Sequence, residues 1–188
     1  MALMQVSGGG VVAGLPVPSI WIPGAPVYEA LIDAESRHHK AARIAEKAYG
    51  AGFTTIDPGG AAAFAQIFVP ASSRSIRVSA IHIITQTAAS RIITVQTGSA
   101  IATGGTAMTP ASTVAGSSLS ATALNAQYGA PLTAVGTMYT YGYFFVEASN
   151  AKTFIPMAPI KVIPGTNILL LASAAGNLAG GFEFYFDD

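Results

Sequence analysis

The stretch ESRHHKAARIAEK, which begins at Glu35, carries the densest charge in the chain and two of its three histidines. Glu35 and His38 have the Glu-x-x-His spacing that places two metal ligands on one helix face in di-iron bundles. Those sites need two such motifs and further glutamates, and this chain has one motif. Ion pairing at i, i+4, between Asp33 and Arg37 and between Glu35 and His39, explains the same residues. We therefore predict a solvated helix face, with no metal site and no cofactor.

The other candidates for chemistry form no catalytic constellation. His82 lies in SAIHIIT, and regular alternation would put it on one face with the even-numbered residues from Ile76 to Ile84. A histidine so placed is typical of a hydrogen-bonded core or interface residue, or of an ion site on the axis of a symmetric trimer. The chain has no cysteine and no G-x-S-x-G elbow, and SGGGVVAG lacks the Lys-Ser/Thr of a phosphate loop. These features predict that the protein is not an enzyme and has no catalytic residues.

Three tyrosines, Tyr139, Tyr141 and Tyr143, alternate in MYTYGYFF and would share one side of a regular strand. An exposed row of tyrosines can stack on sugars or bases. No Asp, Glu or Arg stands close by in the sequence to bind hydroxyl groups. We therefore expect these side chains inside the fold or at an interface.

The composition indicates a subunit whose outer surface is covered by other subunits. Of 188 residues 51% are apolar and only 10% are charged, against about 25% in ordinary soluble domains. The longest apolar run, ILLLASAA, is too short to span a membrane, and the first residues lack the pattern of a signal peptide. The net charge is zero and there is no basic patch. We predict neither membrane nor nucleic-acid binding.

Three regions follow from the distribution of charge, proline and glycine. Residues 1–27 are predicted to form an extended arm, because four prolines disfavour a helix and the Gly8–Gly10 run is typical of a flexible hinge. The arm also carries apolar residues that are unusual in a linker, and these are the predicted partner-binding residues: Leu15, Val17, Ile20, Trp21 and Ile22. Such an arm lies in a groove of a neighbouring protein or packs on its own domain.

Residues 28–57 are predicted to form a helix and a linker. The helix covers about residues 28–48, which contain good helix formers and no internal Gly or Pro, and Gly50 provides the stop. Its apolar face is mostly alanine, so we expect it to be held by a partner or by its own domain.

Residues 58–188 are predicted to form an antiparallel jelly-roll-like β-sandwich. Seven segments are dense in β-branched or alternating aromatic residues: Phe64–Val69, Arg74–Thr85, Ser90–Thr97, Gly136–Ala148, Lys152–Ile163, Asn167–Ala174 and Gly180–Asp188. In the last segment Phe182, Phe184 and Phe186 would face the core. The uncharged segment Gly98–Val135 would hold one or two weak strands or form a long loop buried at a subunit contact.

The segment PIKVIPGTNILLLASAAGNLAGGFEFYF, with the small-residue strands and the Pro-rich arm before it, resembles accessory virion proteins of tailed bacteriophages. These include capsid cement or decoration proteins and head-fibre or tail-associated jelly rolls. The resemblance covers roughly Arg74 to Asp188 and is one of composition and strand order. It implies an oligomeric, often trimeric, sandwich that binds a capsid or tail lattice without catalysis.

We therefore expect a structural protein of the virion that binds and stabilises or decorates a phage capsid as a symmetric oligomer, with a trimer favoured. Its partners would be the major capsid protein or other virion subunits. The alternative is a fibre-tip or tail adaptor that binds a host glycan or another tail protein through residues 98–135 and the tyrosines.

Overall fold

The computed structural model describes residues 48–99, 101–113, 121 and 124–187, and the backbone of residues 11–12 and 15–16. The chain divides into two units, Met1–His38 and His39–Asp188. Three predictions lie outside the described residues. They are four of the partner-binding residues (Val17, Ile20, Trp21 and Ile22), the helix up to residue 47, and the role of both histidines in the charged stretch.

In the first unit, strand β1 (Val11–Val12) pairs antiparallel with β2 (Leu15–Pro16). Only the backbone is described there, so the partner-binding role of Leu15 stays a prediction.

The described part of the second unit consists of strands joined by turns and loops. Its strands are β3 (Ala48–Ile56), β4 (Ala63–Val69), β5 (Ile76–Thr85), β6 (Arg91–Gly98), β7 (Ile101–Thr103), β8 (Thr106–Ala107), β9 (Ala111–Ser112), β10 (Asn125–Val135), β11 (Met138–Val146), β12 (Ala151–Phe154), β13 (Ile160–Val162), β14 (Thr166–Ala172) and β15 (Leu178–Phe186). No helix in this part of the chain is long and apolar enough to cross a membrane.

Two antiparallel sheets pack into a β-sandwich. One has the order β11-β6-β14-β4-β10-β7, with β8 beside β10, and the other has the order β12-β5-β15-β3-β9, with β13 beside β5. The pairs β3–β15, β4–β14, β5–β12 and β6–β11 join the first half of the fold to the second, like one long hairpin rolled across both sheets. This is the connectivity of a jelly roll, so the predicted antiparallel jelly-roll-like β-sandwich is confirmed.

The core lies between the sheets. Inward positions alternate with outward ones along each strand, and many of the inward positions hold isoleucine or phenylalanine. Phe182 and Phe184 are fully buried and Phe186 packs against the same cluster, which confirms the predicted inward face of the last strand. Tyr49 stacks on Phe184 with a ring separation of 5.8 Å. Because Tyr49 belongs to β3, the segment from Ala48 to Ile56 is a core strand, where the sequence had predicted the end of a helix and a linker.

The segment Gly98–Val135 is an insertion between β6 and β11, and it contains the eleven-residue strand β10. β10 pairs with β4 along its first half and with β7 at its end, so it extends one sheet. The side chain of Gln66, on β4, holds β7 in place: Ala102 N–H donates to its Oε1 at 3.0 Å, and its Nε2 donates back to Ala102 O at 2.5 Å. The alternative of a long loop is therefore wrong.

A β-bulge in β5 changes which residues face the core. The register against β15 shifts between Ala80 and Val78, so Ser79 is the extra residue. Beyond it, Ile81 and Ile83 point into the core and His82 and Ile84 point outward. The predicted face shared by all even-numbered residues is therefore wrong past Val78, and His82 is not a core residue.

Asp187, just after β15, forms ion pairs with two cations from neighbouring strands. Its Oδ1 lies 2.8 Å from Arg77 Nε and its Oδ2 lies 2.5 Å from Lys161 Nζ. Partial burial raises the pKa of Asp187, but the hydrogen bonds from Lys161 and Arg77 and their charges outweigh burial and lower it below its ordinary 3.8.

We expect Asp187→Asn to lower the unfolding free energy at neutral pH by about 0.5–1 kcal/mol, as for partly exposed ion pairs. A carboxyl with a depressed pKa contributes stability above its unfolded-state value and loses it as the pH falls through the folded value. Urea midpoints at about pH 6 and about pH 3 should therefore converge between the wild type and the variant on acidification. A constant difference between the two proteins would contradict this assignment.

Candidate functional site

Strand β11 carries an exposed row of aromatic side chains on an edge of the sandwich. Its inward residues Phe144 and Val146 are buried, and the Phe144 ring stacks on Phe154 at 5.1 Å. Four other aromatic side chains of the strand are exposed, and we call them the aromatic edge: Tyr139 (68%), Tyr141 (47%), Tyr143 (72%) and Phe145 (53%). The prediction that the tyrosines lie inside the fold is therefore wrong, and the alternative of an interface stays open.

A β-bulge divides the aromatic edge into two parts. The register against β6 shifts between Thr140 and Gly142, so Tyr141 has no direct partner. Tyr143 lies opposite Thr94 on the outer face of the sheet. Tyr139 lies opposite Thr97, whose own neighbour on β14 is the core residue Ile168. Tyr139 and Tyr143 thus point to opposite faces, and the three tyrosines do not form the predicted one-sided row.

The outer part of the aromatic edge continues onto β6. Phe145 lies opposite Ile92, which is also exposed. Tyr143 lies on the same face of β11 as Phe145. On the other side of β11, exposed Ile155 directly follows Phe154, the residue that stacks on Phe144. Apolar side chains therefore surround the strand on both of its faces.

The backbone of β11 has hydrogen-bonding groups turned away from the sheet. Ile92 N–H donates to Ser173 Oγ at 3.0 Å and Ser173 N–H donates to Ile92 O at 3.0 Å, so the backbone of Ile92 faces the end of β14. Because successive residues of a strand face opposite neighbours, Ile93 faces β11 and bonds to Phe144. The N–H and C=O groups of Tyr143 and Phe145 consequently point to the free edge, where no described strand pairs with them.

Apart from the part of β3 that the two-residue strand β9 does not cover, the other edge strands in the described ranges are short or charged. β7, β8, β9 and β13 have two or three residues each, and β12 has four, including the exposed Lys152. β11 has nine residues without a charge or a proline. Short strands, lysine and proline are the usual protection of an edge against pairing with another chain. β11 has only its bulge.

A second cluster lies on the outer face of the other sheet and joins three strands. His82 Nδ1 lies 3.0 Å from Thr153 Oγ1, and His82 Nε2 lies 3.2 Å from Glu183 Oε1. Glu183 is therefore the acid partner of this histidine. Thr153 and His82 lie directly opposite each other in the β12–β5 ladder, so sheet register brings them together.

A carboxylate, an imidazole and a hydroxyl in series are the components of a nucleophilic relay. Such a relay acts in a water-excluding site with donors aimed at the developing oxyanion. Here His82 and Glu183 are 42% and 43% exposed on an open sheet face. The geometry of this cluster fits cross-strand bonds that hold the short strand β12 onto β5.

A third cluster is built around Arg91, whose side chain is buried at the start of β6. Its Nη1 donates to Gly176 O at 2.7 Å and its Nη2 to Thr87 Oγ1 at 2.5 Å. The Gly176 and Gly59 N–H groups donate to Asp57, and these bonds, with the charge of Arg91, lower the Asp57 pKa despite the opposing effect of desolvation. The cluster fixes the turn before β15. Among the described residues no three His, Asp or Glu side chains converge as metal ligands.

Comparison with known proteins identifies no relative: no family model, no curated protein and no solved structure matches the chain.

Proposed function

We propose that the protein is a structural subunit of a tailed-phage virion, which binds and stabilises or decorates the capsid as a symmetric oligomer. The observation that carries the proposal is the long, uncharged and exposed aromatic edge strand β11. Such a strand exposes a monomer to unwanted pairing and aggregation, whereas in a protein that functions in an assembly it can serve as a binding surface.

Two further features support an assembly role. The jelly-roll sandwich is a fold used by many shell proteins, although a fold alone does not define a function. No charged residue occurs between Arg91 and Glu147, so neither the insertion nor β11 carries a charged side chain before Glu147. The virion itself is proposed from the resemblance in composition and strand order, and the docking role is proposed for Leu15, Val17, Ile20, Trp21 and Ile22 of the arm.

Deleting residues 1–27 should abolish binding to capsid shells while leaving the sandwich folded, because none of strands β3–β15 includes the arm. The measurement is co-sedimentation with empty shells assembled from the major capsid protein encoded nearest to this gene, with circular dichroism as the check of folding. A full-length variant with serine at the five apolar arm positions is the matched control for chain length and should behave like the deletion. Undiminished shell binding by either variant would refute docking by the arm.

The alternative of glycan binding predicts a different result in the same set of proteins. A glycan site on the tyrosines would give array binding that is lost in Tyr143→Ala and is independent of shells. The bulge at Tyr141 separates the rings of Tyr139 and Tyr143 onto opposite faces, so the described geometry offers no flat three-ring platform. We therefore favour the assembly role.

A further inference from the structure

We propose that β11 is the self-association strand of this protein: a second copy pairs with it antiparallel, edge to edge, around a two-fold axis. The result is one continuous sheet through two sandwiches. This inference deepens the oligomeric part of the proposed function and does not depend on which shell the protein binds.

The first argument is the state of the backbone. Tyr143 and Phe145 direct their N–H and C=O groups to the free edge, which is the pattern that an incoming antiparallel strand requires. The segment Gly142–Val146, past the bulge, is regular in its pairing with β6. A regular, outward-bonding segment of this kind is a template for strand addition.

The second argument is self-complementarity. In the register that places Tyr143 opposite Phe145 of the second copy, the two-fold axis passes beside Phe144, and both copies of the Tyr143–Phe145 pair exchange backbone hydrogen bonds. The aromatic rings then meet on the outer face, where cross-strand aromatic pairs are favourable. The nearest charged residue, Glu147, falls opposite Tyr141 and not opposite its own copy, so no like charges meet.

The third argument concerns area. A stable interface buries about 800 Å² on each partner, more than a five-residue strand supplies alone. Exposed Ile92 lies beside Phe145, and Phe154, which stacks on the inward Phe144, is followed in sequence by the exposed Ile155 and Met157. These side chains extend the apolar contact on both faces of the junction. An uncharged, two-sided apolar border fits a second identical copy better than a charged partner.

The test is the mass of the full-length protein in solution by sedimentation equilibrium. We expect a dimer for the wild type, and dissociation constants raised by about tenfold or more in Tyr143→Lys and Phe145→Lys, because each change occurs twice at a two-fold contact. Tyr139→Lys is the matched control: it is equally exposed on the same strand, but it precedes the bulge and its backbone faces β6. It should dimerise like the wild type.

Two further variants separate backbone pairing from mere stickiness. Tyr143→Pro removes an N–H that makes no bond within the sheet of one copy, and we expect it to weaken the dimer more than Tyr143→Ala does. The chain has no cysteine, so introduced thiols are unique. A mixture of Tyr143→Cys and Phe145→Cys chains should form a disulfide-linked pair on mild oxidation, since opposed residues lie about 5.5 Å apart. Tyr139→Cys should not.

Each other outcome overturns the inference. A wild type that stays monomeric at about 100 µM, or that forms a trimer as the phage resemblance implies, contradicts two-fold pairing. Equal weakening by Tyr139→Lys would assign the contact to general hydrophobicity. If amide exchange of β11 slows only when shells are added, the shell protein is the occupant. A dimer that ignores shells would support this inference and refute the proposed virion role, whereas a monomer that binds shells would do the reverse.

Discussion

Gly180→Ala should unfold or severely destabilise the sandwich. Gly180 lies in β15, the strand between β5 and β3, and a Cβ placed there would stand 2.0 Å from the carbonyl oxygen of His82. That oxygen belongs to the backbone of the neighbouring strand β5, so two strands must separate to admit the methyl group. We expect a loss of about 3 kcal/mol or more in unfolding free energy, as for severe overpacking.

This loss can be measured by urea denaturation, with far-UV circular dichroism as the signal of unfolding. Gly60→Ala is the matched control, because a Cβ at Gly60 meets no atom within 4 Å. It should change the unfolding free energy by no more than about 0.5 kcal/mol. An unchanged urea midpoint in Gly180→Ala would show that β15 and β5 are not as close as described.

Gln66→Ala should release the insertion from the sheet. The Gln66 amide bonds both ways with the backbone of Ala102, and its Oε1 also accepts from Asn167 Nδ2 at 3.1 Å. Truncation leaves these buried groups without their partner and opens a cavity beside them. We expect a loss of about 3–5 kcal/mol, the sum of unsatisfied polar groups and lost packing.

The control for this prediction is Gln86→Ala. Gln86 accepts a single exposed hydrogen bond of 2.8 Å from Thr55 Oγ1, so its removal should cost less than about 1 kcal/mol. Amide exchange of Ala102 gives a local readout, since its N–H donates to Gln66 alone among side chains. If both glutamine variants lose the same stability, the amide of Gln66 does not anchor the insertion.

Much of the sandwich could be predicted because most of its long strands are rich in β-branched and aromatic residues. Each of the seven β-rich segments overlaps at least one strand, and Pro156 and Pro159 divide the fifth into β12 and β13. The strand β10 was missed as a definite element because NAQYGAPLTAV is poor in β-branched residues and contains Gly and Pro. Its stability comes from pairing with β4 and from Gln66, which are tertiary contacts.

The positions of the candidate site residues depend on two β-bulges, each of one extra residue, which the sequence does not reveal. The bulges at Ser79 and Tyr141 shift the alternation by one residue, and such a shift moves every later side chain to the other face. Regular alternation therefore predicts that His82 shares a face with Ile76 and Val78 and that the three tyrosines share one side of the strand, and both predictions are wrong. The contact of His82 with Glu183 joins residues far apart in sequence, so only the sheet register could bring it to light.

The pairing of β3 with β15 has a consequence for biosynthesis. The first strand of the sandwich, β3, pairs mainly with the last strand, β15. It can form this pairing only after nearly all of the sandwich sequence has left the ribosome. At about 10 residues per second this interval lasts seconds, and such non-local topologies fold slowly. During it the aromatic strand β11 is already synthesised and uncovered. The nascent chain is thus most prone to aggregation before its last strand docks, and chaperone demand should be greatest in that window.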